Sequence, residues 1–195
     1  MPRLFVALEV PPLVSQQIAM LRGGLPGARW IDPENHHITL RFIGDIDDHI
    51  AHEAEDCLFG IRRDPVMVDL DGLGVFGGNK PHSLFVRVRP TSDLVALNGD
   101  IERRLRRIGL KPETRNFTPH VTVARLRGVS PRAAASYLGL RGGFGIPAFE
   151  ADRFVMYSSR AREGGGPYVV EQTYPLGQAY DVDAEDDYDL VSNWG

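Results

Sequence analysis

The chain lacks several features that would assign its class at once. Its single cysteine, Cys57, cannot form an internal disulfide and falls in a helical pattern, where we expect a small buried apolar residue. No apolar run approaches the roughly 20 residues that cross a membrane. The N-terminus enters a strand-like pattern without the apolar core and cleavage site of a secretion signal. We therefore expect a cytoplasmic protein with no membrane partner.

The acidic net charge is unevenly distributed along the chain. The 195 residues, 43% hydrophobic and 25% charged, suit one globular domain or two closely packed lobes with a sizeable core. From Gln178 onward there are six carboxylates and no lysine or arginine, and removing these six from the net charge of −4 leaves +2 for residues 1–177. We predict a single folded domain over residues 1–177 and a mobile acidic tail over residues 178–195.

The folded part is mildly basic, and its basic residues cluster in one place. The densest basic run consists of Arg103, Arg104, Arg106, Arg107 and Lys111. This run is either a solvated helix face or a surface that steers a nucleic acid, and both interpretations stay open.

Two distant stretches of the chain share one pattern of residues. Residues 30–44 contain H-I-T-L at 37–40, and residues 115–125 contain H-V-T-V at 120–123. Both are rich in β-branched and apolar residues, which predicts strands. Because side chains at i and i+2 point to the same side of a strand, each stretch presents a histidine beside a threonine. Two imidazoles and two hydroxyls facing one cleft could supply a general base, a general acid and hydrogen bonds to an anion.

The first stretch has two adjacent histidines, and alternation distinguishes them. Only His37 is predicted to share a face with Thr39 and Arg41, whereas His36 falls on the side of the apolar residues. His37 is therefore the functional candidate. One such motif alone is weak evidence, and the pair gains weight from an internal repeat.

The pattern of the chain begins a second time near residue 84. The strand-like run at residues 84–90 repeats the run at residues 4–11, and in both a proline ends the strand before a helical pattern. The two strand starts lie 80 residues apart, and the two histidines lie 83 apart. We interpret this as duplication of a strand-helix-strand unit, whose copies could flank one shared cleft.

Two other clusters have simpler interpretations than a ligand site. The aspartates at residues 45, 47 and 48 suit a turn and a helix N-terminus better than a divalent metal. His49 and His52 on the helix that follows have no evident third ligand. The glycines at residues 72–78 suit a hairpin connection, since no G-K-S/T phosphate-loop ending follows. We predict no metal and no cofactor.

The two motifs, in the contexts E-N-H-H-I-T-L-R-F-I-G and F-T-P-H-V-T-V-A-R, resemble those of the 2H phosphoesterases. With the opening R-L-F-V-A-L-E-V-P, the chain is similar over about residues 3–177 to the RNA 2′,3′-cyclic phosphodiesterases of bacteria and archaea, also known as 2′-5′ RNA ligases. Two departures from the family pattern are small: His36 replaces an apolar residue, and Val123 replaces leucine. The resemblance implies a bilobal α+β fold, with two pseudo-twofold-related lobes of antiparallel sheet and helices around a central cleft in one catalytic domain.

The resemblance also implies a reaction and roles for the site residues. The reaction is metal-independent hydrolysis of RNA 2′,3′-cyclic phosphate ends to 2′-phosphomonoesters. His120 would be the general base and His37 the general acid, and each such proton transfer is typically worth about 100- to 10,000-fold. Thr39 and Thr122 would donate hydrogen bonds to the phosphate oxygens.

Two arginines are candidates for contact with the phosphate. Arg125 matches a family position that binds it, and a planar guanidinium suits that contact. Strict alternation places Arg125 opposite His120, so the strand must end or bulge there. Arg41, predicted on the His37 face, is the second candidate. The aromatic residues that could stack on a base are Trp30, Phe42 and Phe117. Core packing is the simpler role for the two phenylalanines.

Other functions fit the same residues. The reverse reaction would join RNA ends through a 2′-5′ linkage, and a small cyclic nucleotide could replace RNA as substrate. A non-catalytic RNA-binding module would use the histidines only to contact phosphate. A metallohydrolase is disfavoured, because no carboxylate or cysteine accompanies His37 and His120 at ligand spacing. We expect a monomer.

Overall fold

The computed structural model describes residues 3–159 and 167–177, which contain ten strands and four α-helices. The predicted acidic tail and a glycine turn predicted at residues 164–166 lie outside the described residues. The strands are β1 (Arg3–Glu9), β2 (Ala28–Trp30), β3 (His37–Asp45), β4 (Val66–Val68), β5 (Leu70–Phe76), β6 (Ser83–Val88), β7 (His120–Leu126), β8 (Phe149–Ala151), β9 (Arg153–Ser159) and β10 (Tyr168–Pro175). The helices are α1 (Pro12–Ala19), α2 (Asp48–Leu58), α3 (Ser92–Arg107) and α4 (Pro131–Leu140), and a 3₁₀ turn spans Pro33–Asn35.

Strands β4 and β8 form a separate two-stranded sheet, and the other eight described strands form one sheet in which the duplication is visible. Its order is β10-β9-β1-β3-β7-β6-β5, all neighbours are antiparallel, and β2 also pairs with β7. Outward from the centre, β3-β1-β9 is matched by β7-β6-β5. The two central strands share a single residue pair, Ile38 with Val121. This arrangement is the α+β fold with two pseudo-twofold-related lobes that the sequence predicts.

The helices cover one face of the sheet and leave the other for the two motifs. In β1, Leu4, Val6 and Leu8 join a large core that includes buried residues of all four helices. Phe5 and Ala7 point the other way into a small apolar cluster with β9. Because both faces of β1 are covered, its sequence is a continuous apolar run.

The start and the buried face of helix α3 both follow from its local sequence. The hydroxyl of Thr91 accepts a hydrogen bond from the backbone N–H of Leu94 at 3.4 Å and so caps the first turn. The apolar residues recur at helical spacing, and four of them are fully buried: Leu94, Leu97, Ile101 and Leu105. None of the helices in residues 3–159 and 167–177 is long and apolar enough to cross a membrane.

A β-bulge in β3 changes which side chains share a face with the first histidine. Thr39 pairs with Ala7 and Arg41 pairs with the preceding residue of β1, Val6, so Leu40 is an extra residue. Beyond the bulge the alternation is therefore inverted. The bulge therefore pairs Arg41 with the core-facing Val6 and not with a residue of the His37 face, although Arg41 still lines the same cleft as His37.

The second motif strand has a bulge at the equivalent place. In β7, Thr122 pairs with Phe85 and Ala124 pairs with Leu84, which leaves Val123 as the extra residue. The inversion brings Arg125, paired with Ser83, onto the face of Thr122. The bulge that the sequence required for Arg125 is therefore present.

Candidate active site

The two histidines begin the two central strands and face one cleft. His37 is the first residue of β3 and His120 is the first residue of β7. Both histidines, with Thr39 and Thr122, are half-buried in the lining of a cleft of about 840 Å³. The antiparallel pair of Ile38 with Val121 sets each histidine across from the threonine of the other strand. The structure thus brings both predicted His-Thr pairs together.

The same backbone contact fixes both imidazole rings. Nδ1 of His37 lies 2.9 Å from the carbonyl oxygen of Asn35, and Nδ1 of His120 lies 2.7 Å from that of Thr118. A carbonyl oxygen only accepts hydrogen bonds, so each Nδ1 carries a proton and donates it. Each Nε2 is then left to exchange a proton with a ligand, which is the requirement for general acid-base chemistry.

Aromatic rings enclose each histidine on two sides. The His37 ring lies 4.9 Å from Phe5 and 5.0 Å from Tyr168, measured between ring centroids. The His120 ring lies 5.2 Å from Phe85 and 4.9 Å from a second phenylalanine, Phe76 of β5. These neighbours were not predicted as site residues. The repeated Leu-Phe-Val at residues 4–6 and 84–86 could have indicated the first ring of each pair.

Burial makes both imidazoles poor bases before an anion binds. The pKa of His37 is lowered from 6.5 to about 4, mainly by burial and with smaller contributions from the charges of His120, His36 and Arg125, against the opposing effect of the hydrogen bond to Asn35. Burial also lowers the pKa of His120, with a smaller contribution from Arg125. The charge of Arg125 acts on both rings, which indicates that the two histidines and this guanidinium share one electrostatic environment. A bound phosphate would oppose these effects and raise both pKa values.

The two candidate arginines have different surroundings. Arg125 is exposed and lines the cleft on the histidine face. Arg41 is only 8% exposed, and its Nε lies 2.5 Å from a carboxylate oxygen of Glu102. It also donates hydrogen bonds to the backbone carbonyls of Phe42 and Lys111. The guanidinium of Arg41 thus holds β3 against α3 at the wall of the cleft, and its contact with substrate stays a prediction.

The fold places the three aromatic candidates for base stacking in different surroundings. Phe42 is 42% exposed in the cleft, where its ring lies 5.6 Å from that of Phe5, because the bulge turns it to the site face. The expectation of core packing for Phe42 is therefore wrong. Phe117 is half-buried and also lines the cleft. Trp30 packs 6.2 Å from the ring of Tyr137, and it is not among the described residues that line the cleft.

Two polar groups that support the cleft were not predicted. The side-chain amide of Asn98 on α3 donates to the carbonyl oxygen of Leu40 at 2.7 Å and so holds the bulge of β3. The side chain of Arg115 binds both carboxylate oxygens of Glu113, at 3.1 and 2.8 Å. Only the final fold brings α3 and this loop to the cleft, so neither sequence motif indicates them.

The described residues contain no group of three or more His, Cys, Asp or Glu side chains placed to hold a metal ion. On α2, Nδ1 of His52 contacts the carbonyl oxygen of Asp48 at 2.7 Å, and His49 lies 3.6 Å from Glu53. The groups that line the cleft offer proton transfer by two imidazoles, with hydroxyl and guanidinium donors for an anion.

Known proteins share the sequence pattern of this chain. The family model described as LigT-like phosphoesterase matches twice, over residues 8–86 and 84–168, once for each copy of the repeat. The RNA 2′,3′-cyclic phosphodiesterase of Aeropyrum pernix is 37% identical over 107 residues, which are 54% of this chain and 60% of that protein. The protein of the same name from Methanocaldococcus jannaschii is 26% identical over 175 residues, which are 86% of this chain and 97% of that protein.

Solved structures share the fold. E. coli LigT, in a crystal structure with 3′-AMP, has a TM-score of 0.72 at 23% identity, and the match covers 91% of this chain and 100% of that one. The protein TT0787 of Thermus thermophilus has a TM-score of 0.75 at 19% identity, with 89% and 97% of the two chains covered. The two family matches together span most of the sequence, so this chain belongs to the LigT-like phosphoesterases of the 2H superfamily.

Proposed function

We propose that this protein hydrolyses RNA 2′,3′-cyclic phosphate ends to 2′-phosphomonoesters, without a metal, by acid-base catalysis from His37 and His120. One observation carries the proposal: two imidazoles that line one cleft are each held through Nδ1 by a backbone carbonyl, which leaves Nε2 for proton transfer. The relatives from Aeropyrum pernix and Methanocaldococcus jannaschii carry the name of this activity.

The geometry suits an in-line displacement at phosphorus. Nε2 of His120 takes a proton from water, and the water oxygen bonds to phosphorus as the bond from phosphorus to the 3′ oxygen breaks. Nε2 of His37, protonated beforehand, gives its proton to the 3′ oxygen, so the 2′-phosphate remains. His120 ends protonated and His37 neutral, and exchange with solvent restores both. The assignment of base and acid follows the family resemblance, because the two rings have equivalent contacts.

The remaining donors of the cleft match the charge of the phosphate. The hydroxyls of Thr39 and Thr122 lie on the histidine face, one on each side of the cleft. Arg125 adds a permanent positive charge on the same face. Donors that are fixed before the substrate binds stabilise the charge that develops on the phosphate oxygens. Bound phosphate also favours the protonated form of His37 that the acid step needs.

A short RNA with a 2′,3′-cyclic phosphate end, incubated in excess EDTA, tests this function. We expect a 2′-phosphate product, and a loss of kcat of at least about 100-fold in both His37→Ala and His120→Ala. His52→Ala, at an exposed position of α2, is the matched control and should retain full activity. Turnover only of a cyclic mononucleotide, or formation of a 2′-5′ linkage from two RNA ends, would favour the alternative substrates or the ligase reaction. Binding of RNA without turnover in the parent would contradict the proposal.

We also propose that the protein acts as a monomer in the cytoplasm. Both histidines and both threonines of the cleft come from one chain, so the site needs no second copy. The unpaired Cys57 is compatible with a reducing compartment. Sedimentation at several protein concentrations tests the monomer, and fluorescence of a tagged full-length chain in its host tests the location.

A further inference from the structure

A second groove lies along α3 and shares one lining residue with the cleft. It has a volume of about 470 Å³ and is lined by Gly99, Glu102, Arg103, Arg106 and Arg107. Glu102 lines both the groove and the cleft. Asn98, one helical turn before Glu102, lines the cleft as well. The same helix therefore leads from the two histidines to the basic run near residue 106.

The charge of this groove, here called the α3 groove, is positive after its internal ion pairs are counted. The carboxylate of Asp100 is shared by Arg103 and Arg63, each at 2.5 Å. The carboxylate of Glu102 is occupied by Arg41 and by the backbone N–H of residue 113. Arg106 and Arg107 are exposed and have no ion pair among the described residues.

The energetics of the helix explain the basic residues of the α3 groove but not its glycine. Cations in the last turn of a helix gain about 0.3–1 kcal/mol from its dipole, which accounts for basic residues at the end of α3. It does not account for Gly99, in the middle of the same helix. A glycine there costs about 1 kcal/mol relative to alanine, and a Cβ at this position would meet no atom within 4 Å. Packing within the described chain therefore gives no reason for this glycine, whereas close approach of a ligand does.

We propose that the α3 groove binds the phosphates of the RNA strand on the 5′ side of the cyclic end. This inference rests on the proposed function, because all the rest of such an RNA lies 5′ of the phosphate in the cleft. From Asn98 to Arg106 the helix rises about 12 Å, which matches three to four stacked nucleotides at about 3.4 Å each. Planar guanidinium groups bind phosphate oxygens in pairs, and a groove floor without a Cβ lets the backbone come close. The α3 groove thus makes the enzyme prefer an RNA end to a mononucleotide.

The test compares the turnover of cyclic-ended substrates of one, two and six nucleotides. In Arg106→Gln/Arg107→Gln we expect a KM for the hexanucleotide that is higher by roughly 3- to 30-fold, with kcat unchanged. The KM for the mononucleotide should not change. The slope of log affinity against log salt for the hexanucleotide should fall by about 1.4, since each lost phosphate contact on a single strand contributes about 0.7. An unchanged KM and salt slope for the hexanucleotide would overturn the proposal.

Two further variants separate the α3 groove from net charge and from folding. Arg132→Gln/Arg141→Gln removes the same number of positive charges at the ends of α4, and none of the described residues of α4 lines the cleft. This variant should leave the KM for the hexanucleotide unchanged. Gly99→Ala should raise the melting temperature and yet raise the KM of the hexanucleotide. An equal rise of the KM for the mononucleotide and the KM for the hexanucleotide in Arg106→Gln/Arg107→Gln would also overturn the proposal.

A binding measurement keeps the two proposals distinguishable. Fluorescence anisotropy with a labelled hexanucleotide ending in a 2′-phosphate needs no turnover. If the parent turns over no cyclic phosphate, the proposed function fails, and weaker binding by Arg106→Gln/Arg107→Gln would still support the α3 groove as an RNA surface. Equal binding by parent and variant would reject the α3 groove whatever the activity.

Discussion

The buried histidine beside the active site should make the protein sensitive to acid. His36 is 4% exposed, and neither of its ring nitrogens has a hydrogen-bond partner among the described residues. Burial, followed by the positive charge of Arg22, lowers the pKa of His36 from 6.5 to about 4. Replacement by leucine removes the titrating group and keeps a side chain of similar size at this buried site.

The expected effect follows from the protons that the two states bind. Between pH 6.5 and 4 the unfolded chain binds a proton at His36 and the folded chain does not, so acidification favours unfolding across that window. A shift from 6.5 to about 4, at about 1.4 kcal/mol per unit, gives about 3 kcal/mol lost by the parent between neutral pH and pH 4. His36→Leu loses none of this contribution. Above pH 6.5 the variant should also gain about 1–3 kcal/mol, because an unsatisfied buried polar group is removed.

Urea unfolding from pH 8 to pH 4 measures this difference. The gap in unfolding free energy between His36→Leu and the parent should widen by about 3 kcal/mol as the pH falls. His49→Leu, at an exposed position of α2, controls for the loss of a histidine from the surface. Parallel curves for parent and His36→Leu would refute the argument, because they would mean that the folded chain protonates His36 as readily as the unfolded chain does.

Two other predictions concern the site and its support. Inorganic phosphate should raise the pKa of His37 above its value of about 4, and an NMR titration that shows no change would contradict phosphate binding beside this ring. Arg41→Met should lower the unfolding free energy by about 3 kcal/mol in urea, because Glu102 is left without its cation at a mostly buried position. Arg115→Met, which breaks the more exposed pair with Glu113, should lower it by less than about 1 kcal/mol, and equal losses would disprove the distinction.

Much of the site could be predicted from the sequence because it is local and repeated. The H-x-T spacing determines that His37 and Thr39 share a face, and the repeat indicates that the second motif meets the first. The position of Arg41 could not be predicted, because Leu40 looks like any apolar strand residue and nothing in its side chain marks it as extra. Tyr168 reaches the His37 ring through strand pairings between distant parts of the chain, which local patterns do not specify.

The bulges at Leu40 and Val123 invert the alternation of side chains in the two strands that begin with the histidines. Before residue 40 the odd positions of β3 face the cleft, and after it the even position Phe42 does. Deletion of Leu40 would remove the bulge and keep the alternation unchanged as far as residue 42. Arg41 would then point toward the histidines, and the ring of Phe42 would be forced into the core. In comparisons of related chains, a one-residue gap at this point therefore changes the chemistry that the cleft presents as well as the length of a strand.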